Sequence, residues 1–192
     1  MMIPGLKVVA PSTPVDVVGL MAAAIRDPDP IVFFEHKSLM ATKGDVPEGE
    51  RVDRLGTATI VREGSDITIA GLALMVPRAL GAAERLASHG ISAEVIDVRS
   101  LVPLDTRTIL ESVTKTGRFF TVEENPRLCG WGAELVSIVG EEAFWDLDGP
   151  SIRITTPHIP LPAAATLEDM AIPTADRIVE TVMQSVDSRS GV

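Results

Sequence analysis

The sequence predicts an α/β fold, a three-layer α/β/α arrangement with a mainly parallel sheet, preceded by a strand–helix–strand unit. Two observations carry this. Between Ile67 and Val186, short apolar runs alternate with longer segments whose apolar residues recur at helical spacing, the pattern of a mainly parallel sheet covered on both faces. Between Val8 and His36, a strand, a capped helix and a second strand follow one another with almost no slack.

Val8–Ala10 is a short apolar run stopped by Pro11. Thr13 then serves as N-cap to a helix with Pro14 at its first position and Asp16 in its first turn. Val17, Val18, Met21, Ala24 and Ile25 form its apolar face. Asp27-Pro28-Asp29-Pro30 ends it, because proline cannot continue a helix and biases the preceding residue to an extended conformation; Ile31–Phe34 is the next strand. From Lys37 to Asp66 the chain is polar and broken by Gly44, Pro47, Gly49 and Gly64, which predicts an exposed connector finishing in a hairpin through Glu63–Asp66.

Ile67–Gly71 is a strand, and Val76, Ala79, Leu80, Ala83, Leu86 and Ala87 make the stripe of a helix closed by Gly90. Ala93–Val98 returns as a strand. Asp105 caps a helix holding Ile109, Leu110 and Val113, Gly117 ends it, and Phe119–Val122 is the next strand. A helix over Trp131–Gly140, a strand over Ile152–Thr155 and a helix over Thr174–Val186 complete the pattern. The organisation expected is residues 1–36 as a first unit, 37–66 as linker and hairpin, and 67–192 as the main domain.

Of 192 residues, 45% are hydrophobic, too many for a disordered chain, and no uninterrupted apolar run approaches the roughly 20 residues that span a bilayer. With no signal-peptide pattern, the expectation is a cytoplasmic protein. The formal charge of −10 disfavours nucleic acid or an anionic membrane as partner and favours a basic protein surface. The single cysteine, Cys129, permits no internal disulfide.

Few residues suggest chemistry. Gly130-Trp131-Gly132 lies between a strand and a helix like a phosphate-binding loop, but Leu135 stands at the third glycine position, no lysine follows, and Glu123, Glu124 and Glu134 would repel phosphate; close packing of loop on sheet is the preferred reading. Glu123-Glu124, at the carboxyl end of a central strand, stands where open sheets place ligands. No nucleophile or histidine is near in sequence, so a solvated or interface-forming strand end is preferred. His36, His89 and His158 lack metal-ligand spacing. His89 is read as a partner to a helix C-terminus and His158 as part of a surface loop. Of the three, His36 has the best claim to lie near an active site, but ordinary packing is the preferred reading.

PGLKVVAPSTPVDVVGLMAAAIRDPDPIVFFEH resembles the end of the pyrimidine-binding domain in beta subunits of thiamine-diphosphate-dependent 2-oxo acid dehydrogenases, the pyruvate, branched-chain and acetoin enzymes. EGSDITIAGLALMVPRALGAAERLASHGISAEVIDVRSLVPLD, TVEENPRLCGWGAEL and RITTPHIPLPAAATLEDMAIPTADRIVETV resemble that subunit's C-terminal domain, which is similar in outline to that of transketolase. The resemblance covers nearly the whole chain, and EENPR and TTPH look most like acetoin dehydrogenase. It implies a parent reaction in which a 2-oxo acid is decarboxylated, or acetoin cleaved, with acyl transfer to lipoyl-lysine. Thiamine diphosphate and Mg would be the cofactors.

In such subunits the glutamate that activates the thiamine ring and the active-site histidine lie upstream of the matched segment. The expectation is therefore that this chain binds no cofactor by itself and is inactive in isolation. Met1-Met2 before Ile3-Pro4-Gly5 suggests a truncated product, an excised piece or half of a split subunit. A stand-alone interaction module is the competing reading, and the C-terminal region of a transketolase or deoxyxylulose-phosphate synthase a third.

By resemblance, Ala24, Asp27 and Asp29 would be part of a potassium site, hard oxygen ligands at the negative end of a helix; capping and solvation of the two aspartates is the alternative. The implied partners are an alpha subunit, a second beta subunit and the basic subunit-binding domain of the lipoyl acyltransferase. For the last, Glu141, Glu142, Asp146 and Asp148 offer charge and Phe144 and Trp145 apolar anchors, against a solvated helix end with buried aromatics.

Overall fold

A computed structural model describes residues 3–187; Met1 and Met2 lie outside the described residues. It contains two sheets. The larger has five strands in the order β3-β5-β4-β7-β8, formed by Thr59–Arg62 (β3), Ile67–Gly71 (β4), Ala93–Asp97 (β5), Phe119–Pro126 (β7) and Ile152–Thr156 (β8). β5, β4, β7 and β8 are mutually parallel, and β3 joins antiparallel at one edge. Helices α2 (Met75–Ser88) and α6 (Ala175–Asp187) cover one face, where Ala79, Ala83, Leu86, Ile178 and Val182 meet Ile69, Val95 and Phe120. Helices α3 (Thr106–Thr116) and α4 (Gly132–Glu142) cover the other through Ile109, Val113, Leu135 and Val139. The three layers expected from the alternating pattern are therefore present. So are the punctuation marks: Asp105 accepts from Thr108 N at 3.1 Å, and Gly117 closes α3 at φ +68°.

The second sheet has the order β2-β1-β6 and is built from both parts of the chain. β1 (Lys7–Val9) and β2 (Ile31–Phe33) are parallel, joined over helix α1 (Pro14–Arg26), whose N-cap Thr13 accepts from Asp16 N. The third strand, β6 (Ser100–Val102), comes from the segment after β5 and pairs antiparallel with β1. Three residues are too few for any period to declare a strand, and the sequence reading has none there. The short helix α5 (Ala165–Ala171) escapes it for the same reason.

Two expectations need correction. The residues buried in α1 are Asp16, Gly19, Leu20 and Ala23, not the apolar set Val17, Val18, Met21, Ala24 and Ile25; Val18 is 41% and Ile25 77% exposed. Helix orientation is set by a small residue and a charge. A Cβ on Gly19 would overlap the Asp53 carboxylate, and Asp16 pairs with the buried Arg99 at 3.0 Å. The second correction concerns Glu63–Asp66, which makes no hairpin, since β5 lies between β3 and β4. The chain steps across the start of β5 instead: Ser65 N and Asp66 N both donate to Ser92 O, and only glycine fits at residue 64, against the Ala93–Glu94 backbone. Among the described residues no helix is long and apolar enough to cross a membrane.

Candidate functional site

The carboxyl ends of the parallel strands in both sheets converge on one seam, the place where open α/β sheets hold ligands. β1 delivers Ala10 to Thr13, β2 delivers Phe34 to His36, β4 delivers Leu72 and Ala73, and β7 delivers Glu124 and Asn125. Two clefts flank the seam. One, of about 320 Å³, runs between the start of α1 and residues 35–46 and is walled by Pro14, Val17, Val18, Leu39 and Met40. The other, of about 490 Å³, is lined by Phe34, Leu72, Leu101, Glu124, Asn125 and Trp131. His36 borders both.

His36 joins the two parts of the chain. Its Nε2 lies 2.8 and 3.0 Å from the Glu124 carboxylate, while Nδ1 accepts from Ser38 N at 3.2 Å at the start of a 3-10 turn over Lys37–Leu39. An accepting Nδ1 leaves the proton on Nε2, so the ring donates to Glu124 and has no free nitrogen. The residue is thus used for packing and linkage between the strand ends, the reading preferred from the sequence.

Glu123 is not the solvated strand end expected of it. Its side chain is fully buried, and its carboxylate takes five donors: Arg153 Nε at 2.7 Å and Nη2 at 2.9 Å, Gly132 N at 3.0 Å, and Asn125 Nδ2 and Thr121 Oγ1 at 3.1 Å. The Gly130-Trp131-Gly132 loop wraps this carboxylate. A Cβ on either glycine would collide with Glu123, so the glycines bring backbone onto an internal anion rather than onto a phosphate. Cys129 is exposed, with φ +56°, on the same loop. Sequence reasoning did not find Arg153, whose signal is faint: one charge near the start of an apolar strand.

A second buried network escaped the sequence reading altogether. Asp97 at the end of β5 accepts from Arg99 N at 3.1 Å and is bonded to the Ser12 hydroxyl. Arg99 is 5% exposed, adopts φ +57°, and meets Asp16 and Asp53. Arg51 pairs with Asp53 at 2.9 Å. Burial pushes the Asp97 carboxyl up to about 7, against the lowering effect of the Ser12 hydroxyl. The readable signal was there, since Glu94, Asp97 and Arg99 interrupt an otherwise apolar run and all three are buried.

At the end of α1, Asp27 and Asp29 come together one turn beyond Ala24, and a cation already bridges them: Lys7 Nζ lies 2.7 and 2.8 Å from the Asp27 oxygens and 3.1 Å from Asp29. The Lys7 ammonium holds the Asp27 carboxyl below its usual range. A potassium ion on these carboxylates would have to displace that ammonium.

The acidic group after α4 is exposed. Glu141 and Glu142 end the helix, and Asp146 accepts from Thr114 Oγ1 at 2.8 Å. Asp148 packs on the end of α3, its N–H donating to Gly117 O at 2.7 Å. Phe144 and Trp145, paired edge to face at 5.0 Å, are 58% and 92% exposed, which removes the reading of aromatics buried in the core. A cleft of about 560 Å³ opens beside them, lined by Val136, Gly140, Leu147 and Asp148.

The Gly130–Gly132 loop holds an internal carboxylate, and among the described residues no group of three His, Cys, Asp or Glu able to hold a metal ion occurs.

Comparison with known proteins places these features in context. Residues 56–178 match the transketolase C-terminal domain and residues 1–43 the transketolase pyrimidine-binding domain. The chain is 46% identical over 184 residues to the acetoin:2,6-dichlorophenolindophenol oxidoreductase subunit beta of Cupriavidus necator, covering 96% of this chain and 54% of that one. It is 44% identical to the 2-oxoisovalerate dehydrogenase subunit beta of Bacillus subtilis (95% and 56% covered) and 46% identical to the pyruvate dehydrogenase E1 component subunit beta of Rickettsia felis (94% and 55%). Among solved structures, a split-gene transketolase described as an inactive beta4 tetramer superposes with TM-score 0.78 at 26% identity, over 97% of this chain and 59% of that one. The chain spans about half the length of the curated relatives it matches.

Proposed function

The chain belongs to the transketolase C-terminal-domain family, and from that premise we propose that it is the assembly and docking half of a 2-oxo acid dehydrogenase beta subunit of the acetoin or pyruvate type. The observation that carries the reading is the 44–46% identity to such subunits along almost the whole chain. That continuity favours a dehydrogenase part over a free-standing interaction module or a transketolase or synthase C-terminal region.

The whole enzyme would decarboxylate a 2-oxo acid, or cleave acetoin, with thiamine diphosphate and Mg held elsewhere, and pass the acyl group to lipoyl-lysine in the cytoplasm. This chain's own contribution is structural. Its five-stranded domain carries the contacts to a second beta subunit, and the open edge of β2 and the exposed face of α1 receive polypeptide that completes the pyrimidine-binding fold. Glu141, Glu142, Asp146 and Asp148, around Phe144 and Trp145, receive the basic subunit-binding domain of the acyltransferase. Exposed aromatics ringed by acid supply affinity and a salt-sensitive association rate.

The test is titration of the chain with that basic domain, from an acetoin dehydrogenase complex, by surface plasmon resonance. Binding that weakens with salt and with Trp145→Ser supports the reading, and no binding at low salt overturns the docking role.

A further inference from the structure

The seam between the first strand–helix–strand unit and the five-stranded domain is closed by a buried charge cluster whose sum depends on one proton. Asp97 faces Ser12 from the β1–α1 loop, Asp16 from α1, Arg99 from its own turn, and, through Arg99, Asp53 with Arg51 from the linker. Thr59 of β3 and Gly71 of β4, its neighbours in the sheet, add no titratable group. Elsewhere along the seam stand Glu35 and His36, the latter paired with Glu124. Three carboxylates thus share two guanidiniums. With Asp97 protonated the cluster is neutral; with Asp97 ionised it carries an uncompensated negative charge where Asp97, Asp16 and Arg99 are all buried.

The same groups hold the seam mechanically. Ala10 N donates to Arg99 O at 2.9 Å, Asp53 N donates to Gly19 O at 3.0 Å, and β1 pairs with β6 directly after the Arg99 turn. We propose that Asp97 is a proton-operated latch on this seam, holding the N-terminal unit against the main domain when protonated and releasing it when ionised.

The direction follows from linkage. The closed seam holds the Asp97 proton up to about pH 7, whereas an opened seam lets the carboxyl return to its ordinary value of 3.8. Closure is therefore fully favoured below the ordinary value and loses its advantage as pH rises towards 7, by about tenfold in the closed-to-open ratio per pH unit, after which it is level. Opening would separate Ser12, Glu35 and His36 from the main domain, and these residues line the clefts at the strand ends. The latch would set access to them.

Hydrogen exchange on the full chain, analysed as protection factors so that intrinsic base catalysis cancels, tests this. Protection at Ala10 and Asp53, whose amides donate across the seam, should fall about tenfold per unit from pH 5 to pH 7 and then level off. Ile69 and Val122, in β4 and β7, should fall less. In Asp97→Asn the seam amides should show no such slope. An equal slope in that variant, a flat profile in the wild type, or a parallel fall in seam and core amides would overturn the latch. Should Asp97→Asn fail to fold, the carboxyl-carbon NMR titration of Asp97 in the wild type decides: a midpoint near 7 supports the latch, and one below 5 removes it.

Discussion

If Glu123 is an internal anion that holds the β7–α4 loop on the sheet, removing its cation should destabilise the whole domain rather than alter a surface. The perturbation is Arg153→Met, which keeps a shorter, unbranched apolar stem and deletes the charge and its donors. In the native structure the pair is nearly dry, with side chains 10% and 0% exposed, and Arg153 supplies two of the five donors on the carboxylate. Breaking a buried ion pair from one side costs about 3–5 kcal/mol, because a charge is left without compensation. Three donors remain, from Gly132, Asn125 and Thr121, which places the loss near the lower end, about 3 kcal/mol. For a chain of 192 residues that is a fall of roughly 6–12 °C in Tm. Adding Glu123→Gln to Arg153→Met should restore part of the loss, since the amide still accepts from Gly132 N and no charge stays buried. Urea unfolding with calorimetry measures both. A cost under about 1 kcal/mol for Arg153→Met, or a double variant no more stable than the single one, refutes the internal-anion account.

Four further outcomes follow from the structure. Gly132→Ala should destabilise by about 1–3 kcal/mol in urea, because its Cβ meets the Glu123 carboxylate and Thr121. Trp145→Ser should change stability by less than about 0.5 kcal/mol, its ring being 92% exposed, while weakening partner binding more than tenfold. Burial raises the Asp105 carboxyl, but donors from Ala58 N and Thr108 outweigh it and hold the group below 3.8. Its contribution is therefore present above that value and lost as pH falls through the lowered one, so Asp105→Ala should cost about 1–2 kcal/mol at pH 7 and progressively less as pH falls below 3.8, by urea titration. With Lys7 on Asp27 and Asp29, exchanging potassium for sodium should leave the wild-type Tm unchanged, and Lys7→Gln should make it potassium-dependent; the reverse pattern speaks against the ammonium as resident cation.

The main sheet was legible in the sequence because its strands and helices are long enough for their periods to register and are bounded by residues with one structural meaning, such as Asp105 and Gly117. The N-terminal unit was legible as elements and wrong in orientation. Apolar spacing selects the face with Val17 and Ile25, whereas the face that packs is chosen by Gly19 and Asp16 through contacts with Asp53 and Arg99, residues more than 30 positions away. The paired glutamates failed for a similar reason. Adjacent strand residues point to opposite faces, so Glu123 and Glu124 have unrelated surroundings, one an arginine inside the sheet and the other a histidine from the segment after β2. Long-range electrostatic partners leave almost no trace in local sequence. The acidic end of α4 stood out because composition alone marks it, and its geometry adds that Asp146 and Asp148 also hold the end of α3.

The central proposal is that these residues supply assembly and docking and do not by themselves form a thiamine site. Calorimetric titration of the chain with thiamine diphosphate and Mg, alone and then mixed with an alpha subunit and the N-terminal half of an acetoin-type beta subunit, tests it most directly. The account predicts no binding heat for the chain alone and binding in the mixture; micromolar binding by the chain alone would contradict it.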